Sequence, residues 1–156
     1  MQIRLLALMV LPVSMLQAQR SGSLRAYSAV QVEIENKRNE KGRKVPDEFI
    51  ADLVDQLKSG VAALHLFRRV GDYEDSKVAE PQTTPRAFLL RLQILDYTGA
   101  QNNAGVKAVA HFIDKDNGQQ IFEQNVNAQL HYDSGALSAA LRKLARSTAS
   151  VVKDSY

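Results

Sequence analysis

Apolar and polar residues alternate without a break through Ser28–Asn36 (SAVQVEIEN), placing Val30, Val32 and Ile34 on one side and Gln31, Glu33 and Glu35 on the other. A strict period of two describes a strand with one buried and one wet face. Beyond Pro46 the period changes. Phe49, Ile50, Leu53, Val54, Leu57, Val61 and Leu64 recur at the three- and four-residue steps of an amphipathic helix. Pro46 suits its start, where a missing N–H goes unnoticed, and Asp47 and Glu48 complement the positive helix end. Gly60 weakens the last turn.

Period two then returns. Leu66–Val70 predicts a short strand, and Gly71–Pro85, with its charges and two prolines, a surface loop. Across Arg86–Tyr97 the pattern puts Phe88, Leu90, Leu92 and Ile94 on one face, with Leu89, Arg91, Gln93 and Leu95 on the other. Thr98–Gly105 (TGAQNNAG) reads as a loop by composition, and Val106–Asp114 and Gln119–Leu130 as two further strands. From Asp133 or Ser134 as cap, Leu137, Ala140, Leu141, Leu144, Ala145, Thr148, Val151 and Val152 trace a final helix, with Arg142, Lys143, Arg146 and Lys153 elsewhere on its circumference. The order β-α-β-β-β-β-α predicts an α+β fold, a two-layer sandwich. Its mixed sheet of about five strands carries two amphipathic helices on one face, the first helix crossing over between the first two strands. Gln31, Glu33 and Glu35 would line the uncovered face.

Asp114–Gln120 (DKDNGQQ) raises a choice between a calcium loop and a hairpin bend. Counted from Asp114, glycine falls at position 5 and Asn125 at 12, where an EF-hand wants glycine at 6 and glutamate at 12. A hairpin accounts for every residue, since Asn117-Gly118 supplies the positive φ of a tight turn. A three-residue Asp116-Asn117-Gly118 turn pairs Phe112 with Phe122, Ala110 with Gln124 and Ala108 with Val126, which gathers the apolar side chains on one face. A two-residue turn would set Phe112 opposite Glu123 and send half that set to water. The three-residue turn, with Gly118 left-handed, is the expectation.

The ends and the composition locate the chain. Arg4, the apolar run Leu5–Leu16 and the exit Gln17-Ala18-Gln19-Arg20 have the form of a secretory signal peptide. The run falls short of the roughly 20 residues that span a bilayer. The expected organisation is a signal peptide at 1–18, cleaved after Ala18 or Gln19, a linker at 19–27 and one domain at 28–156. A net charge of +3 argues for solubility and, with no dense basic stripe, against a nucleic-acid partner. Cysteine is absent, which removes disulfides, thiolate metal sites, thiol nucleophiles and the lipidated cysteine of a tethered envelope protein. The mature chain is therefore expected to be periplasmic or secreted, unlipidated and without a membrane span.

Little in the sequence points to catalysis. His65, His111 and His131 match no zinc spacing. Ser150-Val151-Val152-Lys153 copies a Ser-x-x-Lys pattern in the last helical turn, without its companion motifs. Glu33 and Glu35, with Glu123, form an acidic strand face rather than a glycosidase pair. No catalytic residue, cofactor or metal is assigned. Two surfaces remain as candidates for partner contact: the basic run with Lys37, Arg38, Lys41, Arg43 and Lys44, which also reads as a solvated loop, and the wet face of Gln31, Glu33 and Glu35.

A strand of the YSAVQVEIE kind before an amphipathic helix and LFRRV, then FLLRLQILDYTG, a FIDKDNGQQIFEQ hairpin and a closing helix form a familiar sequence. From Ala29 to Val152 the chain resembles domain-of-unknown-function families of small secreted or lipid-anchored bacterial envelope proteins. Their fold is similar to the N-terminal domain of TolB and the periplasmic part of CsgG. The resemblance implies a non-enzymatic binding or assembly module of the cell envelope, with another envelope protein or copies of itself as partner. It brings no active-site residues. The alternative is a small secreted hydrolase or ligand carrier whose site forms only in three dimensions.

Overall fold

Val30 and Val32 are almost fully buried, whereas Gln31, Glu33 and Glu35 keep part of their surface in water, so the first alternation holds in three dimensions. The computed structural model describes residues 22–72, 86–100, 103–131 and 136–156; the expected signal peptide and cap at Asp133 or Ser134 lie outside them, as does the loop expected at Gly71–Pro85 except for Gly71 and Asp72, which are in a strand. The elements are β1 (Ala29–Glu35), α1 (Asp47–Ala62), β2 (Arg69–Asp72), β3 (Ala87–Ala100), β4 (Asn103–Asp114), β5 (Gln120–His131) and α2 (Ala136–Asp154). The sheet order is β2-β1-β3-β4-β5. β1 runs parallel to both its neighbours, and β3, β4 and β5 are antiparallel. The sheet is mixed, and the fold is the expected α+β sandwich.

Both helices lie on one face, α1 over β1 and β2, α2 over β3, β4 and β5. Leu53, Leu57 and Val61 of α1 and Leu141, Leu144 and Val152 of α2 close a core with Val32, Leu90, Leu92, Val106 and Val126. Aromatic rings run through it in contact, from Tyr156 to Phe67, Phe88, Phe112 and Phe122. Helix α1 continues through Gly60, where an added Cβ would stand 3.4 Å from the Ala149 Cβ of α2. It ends in a turn with His65 at a φ of 54°.

Four expectations are corrected. The second strand pairs at Arg69–Asp72 rather than at Leu66–Val70, because Phe67 turns into the core against Phe88 and Tyr156. Thr98–Gly105 is not a loop: β3 and β4 continue to pair, Thr98 with Gly105, Gly99 with Ala104 and Ala100 with Asn103. Burial of Ala104 rewards that pairing. Residues 22–27, assigned to a linker, are packed. Leu24 is fully buried and its N–H donates to the Ser155 carbonyl, while the Arg25 guanidinium donates to the Tyr156 carbonyl.

The fourth correction concerns the hairpin turn. Phe112 faces Phe122, Ala110 faces Gln124 and Ala108 faces Val126, as the apolar pattern requires. Yet the turn has four residues, Lys115–Gly118, because the Asp114 N–H donates to the Gln119 carbonyl and the Gly118 N–H to the Asp114 carbonyl. The register survives through a compensating bulge at Ile121, which the ladder skips between Phe122 and Gln120. Gly118 has a φ of 70°, the left-handed conformation anticipated for it. The wider turn follows from Asp114, whose buried carboxylate takes the Asp116 N–H at 2.8 Å and opens the chain there.

Candidate functional site

The sheet face away from the helices is a set of cross-strand rows. Register alone lines up Glu33, Arg91, His111 and Glu123 across β1, β3, β4 and β5. The Arg91 guanidinium donates to Glu33 at 2.7 Å. Nδ1 of His111 lies 3.2 Å from a Glu123 carboxylate oxygen and 3.3 Å from Gln120 Oε1, and Nε2 lies 3.1 Å from Gln93 Oε1. Directly opposite positions bring side chains close enough to pair in this way. Of the three wet-face residues named from sequence, Glu33 is in this row and Glu35 pairs with Lys37. Gln31 is different. Its Oε1 is buried and has no hydrogen-bond donor, on a face where Leu89 is also buried. A polar atom in that state calls for a partner.

The basic run is a built loop. The Asn36 carboxamide donates to the Val45 carbonyl at 2.7 Å and accepts from the Val45 N–H at 3.1 Å, closing the loop as a ladder rung would. Inside it the Asn39 Oδ1 accepts from the N–H groups of Lys41 and Arg43, the Arg38 guanidinium donates to the Gly42 carbonyl, and Gly42 takes a φ of 70°. Two of its cations form ion pairs, Lys37 with Glu35 and Lys44 with Asp47.

The loop and the wet face, separate candidates in sequence, meet at Asp96. A bulge after Ile94 ejects Leu95 to 47% exposure and brings Asp96 opposite Lys107 on the open face. There Asn39 Nδ2 donates to the Asp96 carboxylate at 2.8 Å, and the Arg43 guanidinium lies 5.8 Å from the centre of the Tyr97 ring. The Asn39 bond, then the Tyr97 N–H, hold the Asp96 carboxyl below its ordinary value, so it stays charged. Beside it is a cavity of about 220 Å³ whose lining includes Asp96, Thr98, Gly105, Lys107, Asn127 and Gln129. Gly105 forms its floor, since a side chain there would fill the space toward Gln129. No pattern in the sequence announced this cavity, because Thr98–Gly105 looked like a turn.

At the other end of the sheet, Asp114 is the hub of a structural cluster. Its carboxylate accepts from the Tyr27 hydroxyl at 2.8 Å and from Arg86 at 2.9 Å. These bonds, Tyr27 first, bring its carboxyl down to about 2. Burial and the bond to Asp114 push the Tyr27 phenol up. The first acid of the suspected calcium loop is thus committed to tying β4 to the N-terminal segment. Among the described residues no group of His, Asp and Glu side chains is arranged to hold a metal ion. His65 is exposed at the end of α1, and His111 lies in the cross-strand row, away from the cavity. Ser150 and Lys153 are exposed on α2.

No protein-family model matches the chain, and no curated protein matches it. Solved structures do. A PelC subunit from Paraburkholderia phytofirmans, solved as a dodecamer, superposes with a TM-score of 0.54 at 19% identity, covering 81% of this chain and 89% of that one. Its fold is similar to ours. A Xanthomonas campestris protein described by the family model DUF330 gives a TM-score of 0.50 at 11% identity, over 80% of this chain and 82% of that one. Identities this low establish a shared fold. The shared fold extends to a family whose description states no function. No described helix is long and apolar enough to cross a membrane.

Proposed function

We propose that the chain is a non-enzymatic binding or assembly module of the bacterial cell envelope, acting in the periplasm or outside the cell after removal of residues 1–18. The observation that carries this reading is the sheet face opposite the helices, continuous with the rigid basic loop through the Asn39–Asp96 bond. Its charged groups neutralise one another in rows, as on a docking surface, rather than converging on one reactive atom. The buried, donor-less Gln31 Oε1 adds a place for a partner's N–H or O–H. The partner is another envelope protein or a second copy. The dodecamer of the PelC structure supports self-assembly as a use of this fold.

The cavity beside Asp96 favours a second reading, a carrier of a small polar ligand, because carboxylate, ammonium and carboxamide groups share its rim. A photo-crosslinking residue at Asn125, on the open face, tests the first reading in intact cells. Cross-links to a defined envelope protein or to the chain itself, in the periplasmic fraction, are expected. Intact chain in the cytoplasm with no cross-link would overturn it.

A further inference from the structure

The solvent side of the helix layer separates charge by helix. Helix α1 carries four acids, Asp47, Glu48, Asp52 and Asp55, all exposed, against one lysine. That lysine, Lys58, is half-buried and turned to Asp72 on β2 at 2.9 Å and to Asp55 at 3.6 Å. Helix α2 carries four exposed cations, Arg142, Lys143, Arg146 and Lys153, against one acid, Asp154. The helix dipole accounts for Asp47 and Glu48 at the start of α1 and for Lys153 at the end of α2. It does not account for Asp52 and Asp55 in mid-helix. Nor does it account for Arg142 and Lys143, which lie beyond the first turn of α2.

The spacing sharpens the point. Glu48 and Asp52, like Arg142 and Arg146, stand four residues apart on one helix face, where like charges repel and opposite charges would stabilise an exposed helix. A helix whose exposed face serves solubility alone gains by mixing signs. Here one sign dominates each helix, four to one. Among the described residues none of these acids pairs with a cation of α2, although the two helices pack side by side. A single chain therefore carries two exposed stripes, opposite in charge and each repelling itself.

We propose that the occupant of this surface is a second copy of the chain, with the acidic stripe of α1 in one copy set against the basic stripe of α2 in the next. One contact satisfies both stripes, because every copy offers one of each sign. A two-fold axis running between the helices makes both contacts at once and closes a pair. The same contact passed from copy to copy makes a ring. The inference deepens the self-assembly half of the proposed function, and it uses the helix layer, opposite the sheet face assigned there to a partner.

The experiment uses two double variants of the mature chain, Arg142→Glu/Arg146→Glu and Asp52→Lys/Asp55→Lys, with sedimentation velocity at low and high salt. The wild type should associate at low salt, and its dissociation constant should rise at least tenfold at high salt, since exposed charges are screened over a shorter distance there. Each variant alone should sediment as a single chain, because the net charges of its two helices then have the same sign. An equimolar mixture should recover the wild-type assembly, which also shows that both variants are folded. A wild type that stays a single chain at every salt, variants that assemble alone, or a mixture that stays dissociated would each overturn the contact. Loss of self-association with cross-linking at Asn125 to another envelope protein unchanged separates this contact from the role of the sheet face.

Discussion

Replacing Phe112 and Phe122 by leucine, singly and together, tests the register on which the outer half of the sheet depends. The two rings stack with centroids 4.1 Å apart and planes 17° from parallel, Phe112 fully buried and Phe122 half-buried. Leucine keeps most of the volume, so each single change should destabilise by about 1–1.5 kcal/mol. An offset aromatic pair contributes about 0.5–1.5 kcal/mol beyond its area, and that part is lost in either single variant. The double variant should therefore lose less than the sum of the singles by this amount. Urea unfolding followed by circular dichroism, with a common slope for all four proteins, measures the difference. If the losses add to within about 0.3 kcal/mol, the rings do not meet. The slipped hairpin, with Glu123 opposite Phe112, would then be correct.

Three further outcomes follow from other parts of the fold. The Asp114 carboxyl sits at about 2 against an ordinary 3.8, so its contribution to stability is complete above pH 3.8 and is lost as the pH falls through 2. In thermal melts from pH 5 to 2, the wild type should lose an advantage that Asp114→Asn never has, and parallel curves would refute this. Gly118→Val should destabilise by about 1–2 kcal/mol through its left-handed φ alone, because nothing lies within 4 Å of the added Cβ. Calcium should leave the melting temperature of wild type and variant unchanged, and a calcium-dependent rise would return the turn to the status of an ion site. Asn36→Ala removes both bonds to Val45 and should destabilise by about 1–3 kcal/mol, with faster amide exchange confined to residues 37–45. Unchanged exchange there would show that the loop is held by other means.

The sequence made the strand faces legible because period two is a local property, and the pairing of Phe112 with Phe122 followed from keeping one face apolar. The turn itself was misread because its length depends on Asp114, and what Asp114 does depends on Tyr27, 87 residues earlier. Composition misled at Thr98–Gly105. Gly, Ala and Asn are common in turns, but here the small side chains let β3 and β4 continue to pair over the helix layer. Leu24 and Tyr27 looked like two apolar residues in a polar lead-in, since their partners come from the far end of the chain. The basic loop and the acidic strand face were each visible as charge patterns. Their meeting at Asp96 was not, because a bulge at Leu95 decides which way Asp96 points.

The latch between Leu24 and Ser155 also sets an order of events. Arg25 and Tyr156 are 131 residues apart, so residues 22–27 cannot finish docking until the last turn of α2 exists. The hairpins of β3, β4 and β5 close over short loops and can form before that, while long-range closure comes last. A chain emerging from the ribosome thus keeps residues 22–27 undocked until synthesis of this domain is nearly finished.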